Sequence, residues 1–157
     1  MFDIGDKIVY PMHGAGIIEK IEEKKILDET REYYIFRVLF GDMKIMIPID
    51  SSSDIGVRPI STKEDLEDTL SVMGQASTEM SDNWNRRYRE NMEKLKTGDL
   101  QEVAEVVRNL IRVDRVKKLS TGEKKMLSNA KQIFVSEMVL VRGITAEEAE
   151  EIIASIV

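Results

Sequence analysis

Residues 33–49, YYIFRVLFGDMKIMIPI, are the most strongly β-patterned part of the chain. The run 33–40 is rich in β-branched and aromatic residues, and a second run, 43–49, follows after only Gly41 and Asp42. Because Gly41 can adopt the positive φ of a tight turn, the spacing predicts a β-hairpin. Two of the strands predicted in this half are apolar on both faces, which favours a sheet curled into a small barrel.

Outward from this hairpin, the pattern predicts further strands and then changes near residue 60. Strands are expected at Lys7–Tyr10, at Ala15–Ile21 and at a closing segment, Val57–Pro59. Beyond that point the apolar residues recur with helical spacing. The sequence therefore predicts an α+β protein, with a small β-barrel in residues 1–60 and a helical bundle in residues 61–157.

Helix starts are predicted wherever Ser, Thr or Asp is followed three residues later by Glu, since these side chains can satisfy the free amides of a first turn. Four such pairs occur: Ser61 with Glu64, Asp99 with Glu102, Ser120 with Glu123, and Thr145 with Glu148. Another helix should begin near Asp82 or Asn83 and stop at Gly98. The helix that begins at Ser120 should end at Gly143, and 146–156 should be the last. About five helices are expected.

The charge of the chain is distributed in blocks. The formal net charge is −6, yet residues 84–133 carry a net charge of +6, between acidic flanks of −5 (61–83) and −4 (134–157). A local excess of positive charge favours a nucleic-acid partner because phosphates respond to the local field. A solvated helical surface with no partner is the alternative that the residues leave open.

The residues give no support for an enzyme. The chain has no cysteine and one histidine, His13, in a turn-like segment, which is a poor basis for a metal site. No phosphate-binding glycine loop or nucleophile elbow occurs. We therefore expect no catalytic residue, no metal, no cofactor and no small-molecule substrate. No secretory signal or spanning helix is visible, so a cytoplasmic protein is expected.

Two predicted neighbouring helices each present a basic edge. In the helix after Asp99, the apolar residues Val103, Val106, Val107, Leu110 and Ile111 form one face. Three arginines are predicted on the opposite side: Arg108, Arg112 and Arg115. In the next helix three lysines lie along one side: Lys124, Lys125 and Lys131. Both edges are candidates for phosphate contact.

Trp84, the only tryptophan, is open to two interpretations. It shares a helical face with Tyr88, Met92 and Leu95, which favours a place in the core. It also lies at a predicted helix start and is followed by three arginines: Arg86, Arg87 and Arg89. An aromatic residue flanked by arginines is typical of a side chain that enters the DNA minor groove.

Four segments resemble the CarD family of bacterial transcription regulators over nearly the whole chain. They are FDIGDKIVYPMHG (2–14), NWNRRYR (83–89), VAEVVRNL (103–110) and LSTGEKKML (119–127). The first segment alone is also similar to the polymerase-interacting domain of transcription-repair coupling factor. The later three, in this order and spacing, separate the two families.

The resemblance implies that the N-terminal barrel is Tudor-like and binds the β subunit of RNA polymerase. It also implies that the helical half binds promoter DNA near the −10 element. The matching tryptophan, Trp84, would enter the minor groove there and favour the open complex, and Arg86, Arg87, Arg89 and Lys124 match DNA-approaching positions. The polymerase-binding edge matches two segments: Lys24, Lys25 and Ile26; and Lys44, Ile45 and Met46. Met46 stands where some members carry a basic residue.

One further class of function fits the residues. The helical half could bind a second protein, making the chain a protein–protein adaptor on RNA polymerase without direct DNA contact. The acidic pairs at 147–148 and 150–151 would suit a basic partner. Steep weakening of DNA binding with salt would distinguish DNA contact from this alternative.

Overall fold

The computed structural model describes residues 1–157 and has an antiparallel five-stranded sheet in its first half. The strands are β1 (Lys7–Tyr10), β2 (Gly14–Ile26), β3 (Glu29–Val38), β4 (Lys44–Pro48) and β5 (Arg58–Pro59). They lie in the order β4-β3-β2-β1-β5. The predicted hairpin at Gly41 is confirmed, with Gly41 and Asp42 at φ values of 91° and 51°.

Strands β2 and β3 extend further than the apolar pattern predicted. Past the predicted ends, Ile21 of β2 and Tyr33 of β3, the two strands continue as a ribbon. Its pairing runs from Glu22 with Tyr33 to Ile26 with Glu29. This ribbon carries charged, exposed side chains, so no alternation of apolar residues marks it. Its strands are held by backbone hydrogen bonds, to which every residue type except proline can contribute both a donor and an acceptor.

The sheet curls around its own small core. Side chains from its two outermost parts, Ile47 of β4 and Val57 beside β5, meet in one apolar cluster with residues of the central strands: Ile8, Ile18, Tyr34, Phe36 and Val38. The ladder between β2 and β3 shifts between Ile18 and Lys20, which is a β-bulge that bends the sheet.

Six helices follow or interrupt the sheet. They are α1 (Ser52–Ile55), α2 (Lys63–Met73), α3 (Trp84–Lys96), α4 (Leu100–Val116), α5 (Thr121–Arg142) and α6 (Ala146–Ile156). The five after residue 60 are those that the sequence predicted, and the α+β architecture is confirmed. The one-turn helix α1 carries no apolar period and was not predicted.

The predicted helix starts are confirmed with one correction. Asn83, Asp99, Ser120 and Thr145 are all N-caps whose side chains accept a backbone N–H. Helix α2, however, is capped by Thr62, whose hydroxyl accepts the Asp65 N–H at 3.0 Å. The prediction of Ser61 as this cap is wrong, because the Ser61 hydroxyl instead donates to the buried Glu137 carboxylate at 2.7 Å.

The sheet and the helices share a buried contact. The Ala15 N–H of β2 donates to the Ser136 hydroxyl of α5 at 2.9 Å, across 121 residues of sequence. Nearby, the Arg58 guanidinium donates to both oxygens of Glu137 at 2.8 Å. These bonds hold the sheet and the helical bundle in one relative orientation. No helix of the chain combines the length and the apolar character that crossing a membrane requires.

Candidate functional site

Trp84 is the first residue of α3 and lies half-exposed at the surface. Of the four residues on its helical face only Leu95 is fully buried, while Trp84 is 47% exposed. The burial along this face therefore increases from the start of α3 toward its end. The indole stacks on the Tyr88 ring, with ring centroids 6.2 Å apart and an interplanar angle of 29°. The core interpretation of Trp84 is not supported by this exposure.

The indole is attached to the start of α5. Its Nε1–H donates to the Ser120 hydroxyl at 3.0 Å, and Ser120 is the N-cap of that helix. Tyr88, one turn further along α3, lies beside Gly122 in the first turn of α5. A Cβ added at Gly122 would be 4.0 Å from the Tyr88 ring. The tryptophan therefore lies where two helices begin.

The three arginines that follow Trp84 differ in their surroundings. Arg87 donates through Nε and Nη2 to the two carboxylate oxygens of Glu123, at 2.8 and 2.7 Å. These hydrogen bonds raise the pKa of the Arg87 guanidinium above its ordinary value. Arg86 forms an exposed ion pair with Glu90 at 3.0 Å, and Arg89 is exposed and forms no ion pair in this structure. Arg89 therefore carries the one uncompensated charge of the three.

The predicted basic edge of α4 is wrong for Arg108. This side chain is only 2% exposed, and its guanidinium donates to the Val72 carbonyl and the Asn109 side chain, both at 3.1 Å. Burial lowers the pKa of Arg108, and the neighbouring Arg112 lowers it further. Helical periodicity misplaced Arg108 because the segment after α2 covers this side of α4.

Arg112 and Arg115 are also engaged by the chain itself. Arg112 donates to the carbonyls of Gln75 and Met73, at 2.6 and 3.2 Å, and to the Ser77 hydroxyl at 3.0 Å. Arg115 is exposed and donates to the backbone oxygen of the last residue at 2.7 Å. Arg108 and Arg112 thus fasten the segment that leads from α2 toward α3.

Glu105 completes the attachment of that segment. The Thr78 hydroxyl donates to this carboxylate, and the Lys94 ammonium of α3 lies 2.9 Å from it. Partial burial acts to raise the pKa of Glu105, but the hydrogen bonds from Thr78 and Lys94 outweigh it, so the pKa lies below its ordinary value of 4.5. Glu105 of α4 therefore holds both the connection into α3 and α3 itself.

Lysines without acidic partners flank Ser120 along the chain. Lys124 and Lys125 follow it on α5, both exposed and in no ion pair, whereas Lys131 lies 3.9 Å from Glu150. Lys117 and Lys118 precede it and are equally exposed and unpaired. We call these four lysines and Arg89, which are all exposed and in no ion pair, the basic patch. Lys117 and Lys118 were not predicted from the sequence, although both lie in the basic block, because they fall in a loop outside any helical period.

In the sheet, the two predicted docking segments do not share one edge. Strand β4, with Lys44, Ile45 and Met46, pairs with β3 on one side, whereas Lys24, Lys25 and Ile26 pair with β3 on its other side. The segment 24–26 also lies near the tip of the ribbon, where Leu27 is 92% exposed. The expectation of a single edge is therefore wrong.

Strand β4 is an edge strand with free backbone groups. The Val38 N–H donates to the Met43 carbonyl at 3.0 Å, and bonded pairs alternate along an antiparallel ladder. By this alternation Ile45 and Ile47 bond to β3, while the N–H and C=O groups of Lys44 and Met46 point away from it. The Lys44 ammonium lies 3.2 Å from Glu19, and Met46 is partly exposed. Such an edge can accept a further strand from another protein.

The chain matches two family models and a known protein. Residues 2–61 match the CarD-like/TRCF RID domain, and residues 68–154 match the CarD C-terminal domain. The chain is 43% identical over 148 residues to a Bacillus subtilis (strain 168) protein named "Putative transcription factor YdeB". This similarity covers 94% of the present chain and 97% of that protein.

Proposed function

The chain belongs to the CarD family of RNA-polymerase-interacting transcription regulators, and on that premise we propose that it stabilises the open promoter complex. In this proposal residues 1–60 dock on the polymerase β subunit, and residues 61–157 contact promoter DNA near the −10 element, at the upstream edge of the bubble. The work is non-enzymatic and needs no cofactor. It takes place in the bacterial cytoplasm, where the polymerase holds the protein at the nucleoid.

The observation that carries the proposal is the half-exposed indole of Trp84 beside a patch of uncompensated cations. An aromatic ring at the surface can enter a widened minor groove and partly unstack a base step. The charges of Arg89, Lys117, Lys118, Lys124 and Lys125 are free to approach the phosphates on either side. The patch can thus hold the backbone while the ring enters the groove.

Of the predicted DNA-binding residues, the exposed ones fit this role best. We keep Trp84, Arg86 and Arg89 of α3 and Lys124 and Lys125 of α5 at the interface. Arg115 and Lys131 lie further along their helices and would make peripheral contacts. The bonds of Arg108 and Arg112 to the chain itself give these two arginines a structural role.

Docking through β4 explains how a chain of net charge −6 can act on DNA. The outward backbone groups of Lys44 and Met46 suit pairing with a strand of the polymerase. Once docked, the helical half is held at a high effective concentration near the promoter, so it need not bind free DNA tightly. The local charge of the basic patch then matters more than the charge of the whole chain.

The free-energy difference that Trp84 must supply between the open and the closed complex is small. A ligand shifts an equilibrium only by the difference between its affinities for the two states. If Trp84 contacts the distorted groove of the open complex better than the closed duplex by about 1.4 kcal/mol, the ratio of open to closed complex rises about tenfold. One well-placed aromatic contact is of this order.

The test is the lifetime of the open complex, measured by competitor challenge with polymerase, a promoter and the full-length protein. Trp84→Ala should shorten the lifetime toward that of polymerase alone while polymerase binding is retained. Val72→Ala, which truncates another partly exposed apolar side chain, is the matched control and should leave the lifetime unchanged. If folded Trp84→Ala binds polymerase and gives the wild-type lifetime, the proposed insertion of Trp84 into the minor groove is refuted and the adaptor function is favoured.

A further inference from the structure

A hydrogen-bond network joins the start of α3 to the start of α5, with Ser120 at its centre. The Ser120 hydroxyl accepts the indole N–H of Trp84 at 3.0 Å and the backbone N–H of Glu123 at 3.3 Å. It also lies 3.3 Å from the Glu123 Oε1 atom, to which it donates. One hydroxyl therefore caps α5 and holds the tryptophan.

The second part of the network is the ion pair of Arg87 with Glu123. The Glu123 carboxylate is almost fully buried, and Arg87 meets it with a two-point contact that fixes both position and angle. The two contacts have the same spacing, because Trp84 and Arg87 are three residues apart on α3 and Ser120 and Glu123 are three residues apart on α5. Two such contacts, one turn apart, fix the rotation of α3 about its axis relative to α5.

We infer that Ser120, Glu123 and Arg87 are positioning residues that hold the Trp84 ring in the orientation in which it meets the minor groove. This inference rests on the proposed function. It assigns Arg87 a part different from the phosphate contact that the sequence suggested. Because the indole N–H is already bonded to Ser120, the ring presents its apolar face and edge to DNA. It therefore acts by shape and not by donating to the N3 or O2 acceptors of the bases.

The advantage of this arrangement is preorganisation. A free tryptophan side chain would lose rotational freedom on entering the groove, at about 0.5–1.5 kcal/mol for one immobilised side chain. A ring that is already held loses little. Release of the ring should therefore shorten the open-complex lifetime about two- to thirteenfold, which is the same range expressed as a ratio.

The first test uses Trp84 as its own reporter, since it is the only tryptophan in the chain. Time-resolved fluorescence anisotropy of the free full-length protein measures the nanosecond motion of the indole. Ser120→Ala should increase this motion, and Ser120→Thr, which keeps a hydroxyl and a helix cap, should restore the wild-type value. Thr62→Ala is the matched control, because it removes another hydroxyl N-cap with a similar loss of stability and no aromatic partner.

The same variants are then compared in the open-complex assay. Ser120→Ala should shorten the lifetime, and Ser120→Thr and Thr62→Ala should not. If Ser120→Ala has the wild-type anisotropy, the inference is overturned. It is also overturned if the indole of Ser120→Ala is mobile but the open-complex lifetime of this variant is unchanged, while Trp84→Ala shortens that lifetime. An unchanged lifetime in Trp84→Ala overturns the proposed function instead, while the anisotropy still decides whether Ser120 holds the ring.

A pair of lysine substitutions separates positioning from phosphate contact. Arg87→Lys keeps the charge but loses the two-point contact with Glu123, so it should increase the indole motion and shorten the lifetime. Arg142→Lys keeps the charge of an arginine at the other end of α5, where a single nitrogen meets Glu67, and should have little effect on either quantity. Equal effects of the two substitutions would contradict the positioning role of Arg87.

Discussion

The contact between the sheet and the helices should fail when Glu137 is truncated. The Glu137 carboxylate is 4% exposed as a side chain and accepts four hydrogen bonds of 2.7–2.8 Å. Two come from Arg58, which lies just before the change from strands to helices, and two come from Ser61. In Glu137→Ala all four of these hydrogen bonds are lost at once.

The magnitude follows from the burial of the two partners. Removal of one member of a buried ion pair destabilises a protein by about 3–5 kcal/mol, because the other charge is left uncompensated. Arg58 is 28% exposed as a side chain and keeps its bonds to the Gly98 carbonyl, so the lower end applies. We expect a loss of about 3 kcal/mol, which for a chain of this length lowers the melting temperature by about 6–12 °C.

The assay is urea unfolding followed by circular dichroism, with Glu93→Ala as the matched control. Glu93 forms an exposed ion pair with Lys96 at 3.6 Å, so its loss should change the unfolding free energy by less than about 0.5 kcal/mol. Arg58→Met combined with Glu137→Leu should be more stable than Glu137→Ala alone, since no unpaired charge remains buried. A loss below about 1 kcal/mol in Glu137→Ala would refute the reasoning.

Three further predictions concern the sheet, its contact with α5, and the response to acid. Gly16→Ala should destabilise the protein by about 3 kcal/mol in urea unfolding, because a Cβ there would overlap the Arg37 carbonyl oxygen; a near-neutral result would contradict this packing. Ser136→Ala should cost about 1–3 kcal/mol and speed hydrogen exchange of the Ala15 amide, which loses its only acceptor; unchanged exchange would argue against that bond. Because the pKa of Glu105 is lowered in the folded state, its carboxylate stabilises the protein above pH 4.5 and loses this effect as the pH falls through the folded pKa. The stability difference between wild type and Glu105→Gln should therefore shrink between pH 7 and pH 3, and a constant difference would contradict the shift.

Local patterns were sufficient for the order and type of the main elements. The hairpin at Gly41 depends on two neighbouring runs of β-forming residues and a turn residue, and a short stretch of sequence is enough to identify each of them. The helix starts could be predicted equally well, because a capping side chain bonds an amide only three residues away. The residues that cap them are Asn83, Asp99, Ser120 and Thr145. The one incorrect cap, Ser61, failed because its hydroxyl is taken by Glu137, a residue 76 positions away.

The candidate site was predictable in its residue types but not in their assignment. The basic block and the exposed position of Trp84 at a helix start were within reach of the sequence. The different surroundings of the arginines were not, since Arg108 is buried by the last turn of α2 and the segment after it, and Arg87 is bonded to Glu123 across 36 residues. Helical periodicity describes one helix at a time, and it is silent on which neighbour covers a given face.

The order of the main strands and helices, the block of positive charge and the family could all be predicted from the sequence, because each depends on neighbouring residues or on ordered motifs. The sequence did not show which charges are free, that β3 separates the two docking segments, or that Ser120 and Glu123 meet Trp84 and Arg87. These features share one cause. Burial and ion pairing depend on distances between residues far apart in the chain, and these distances exist only after the sheet and the helices have packed together.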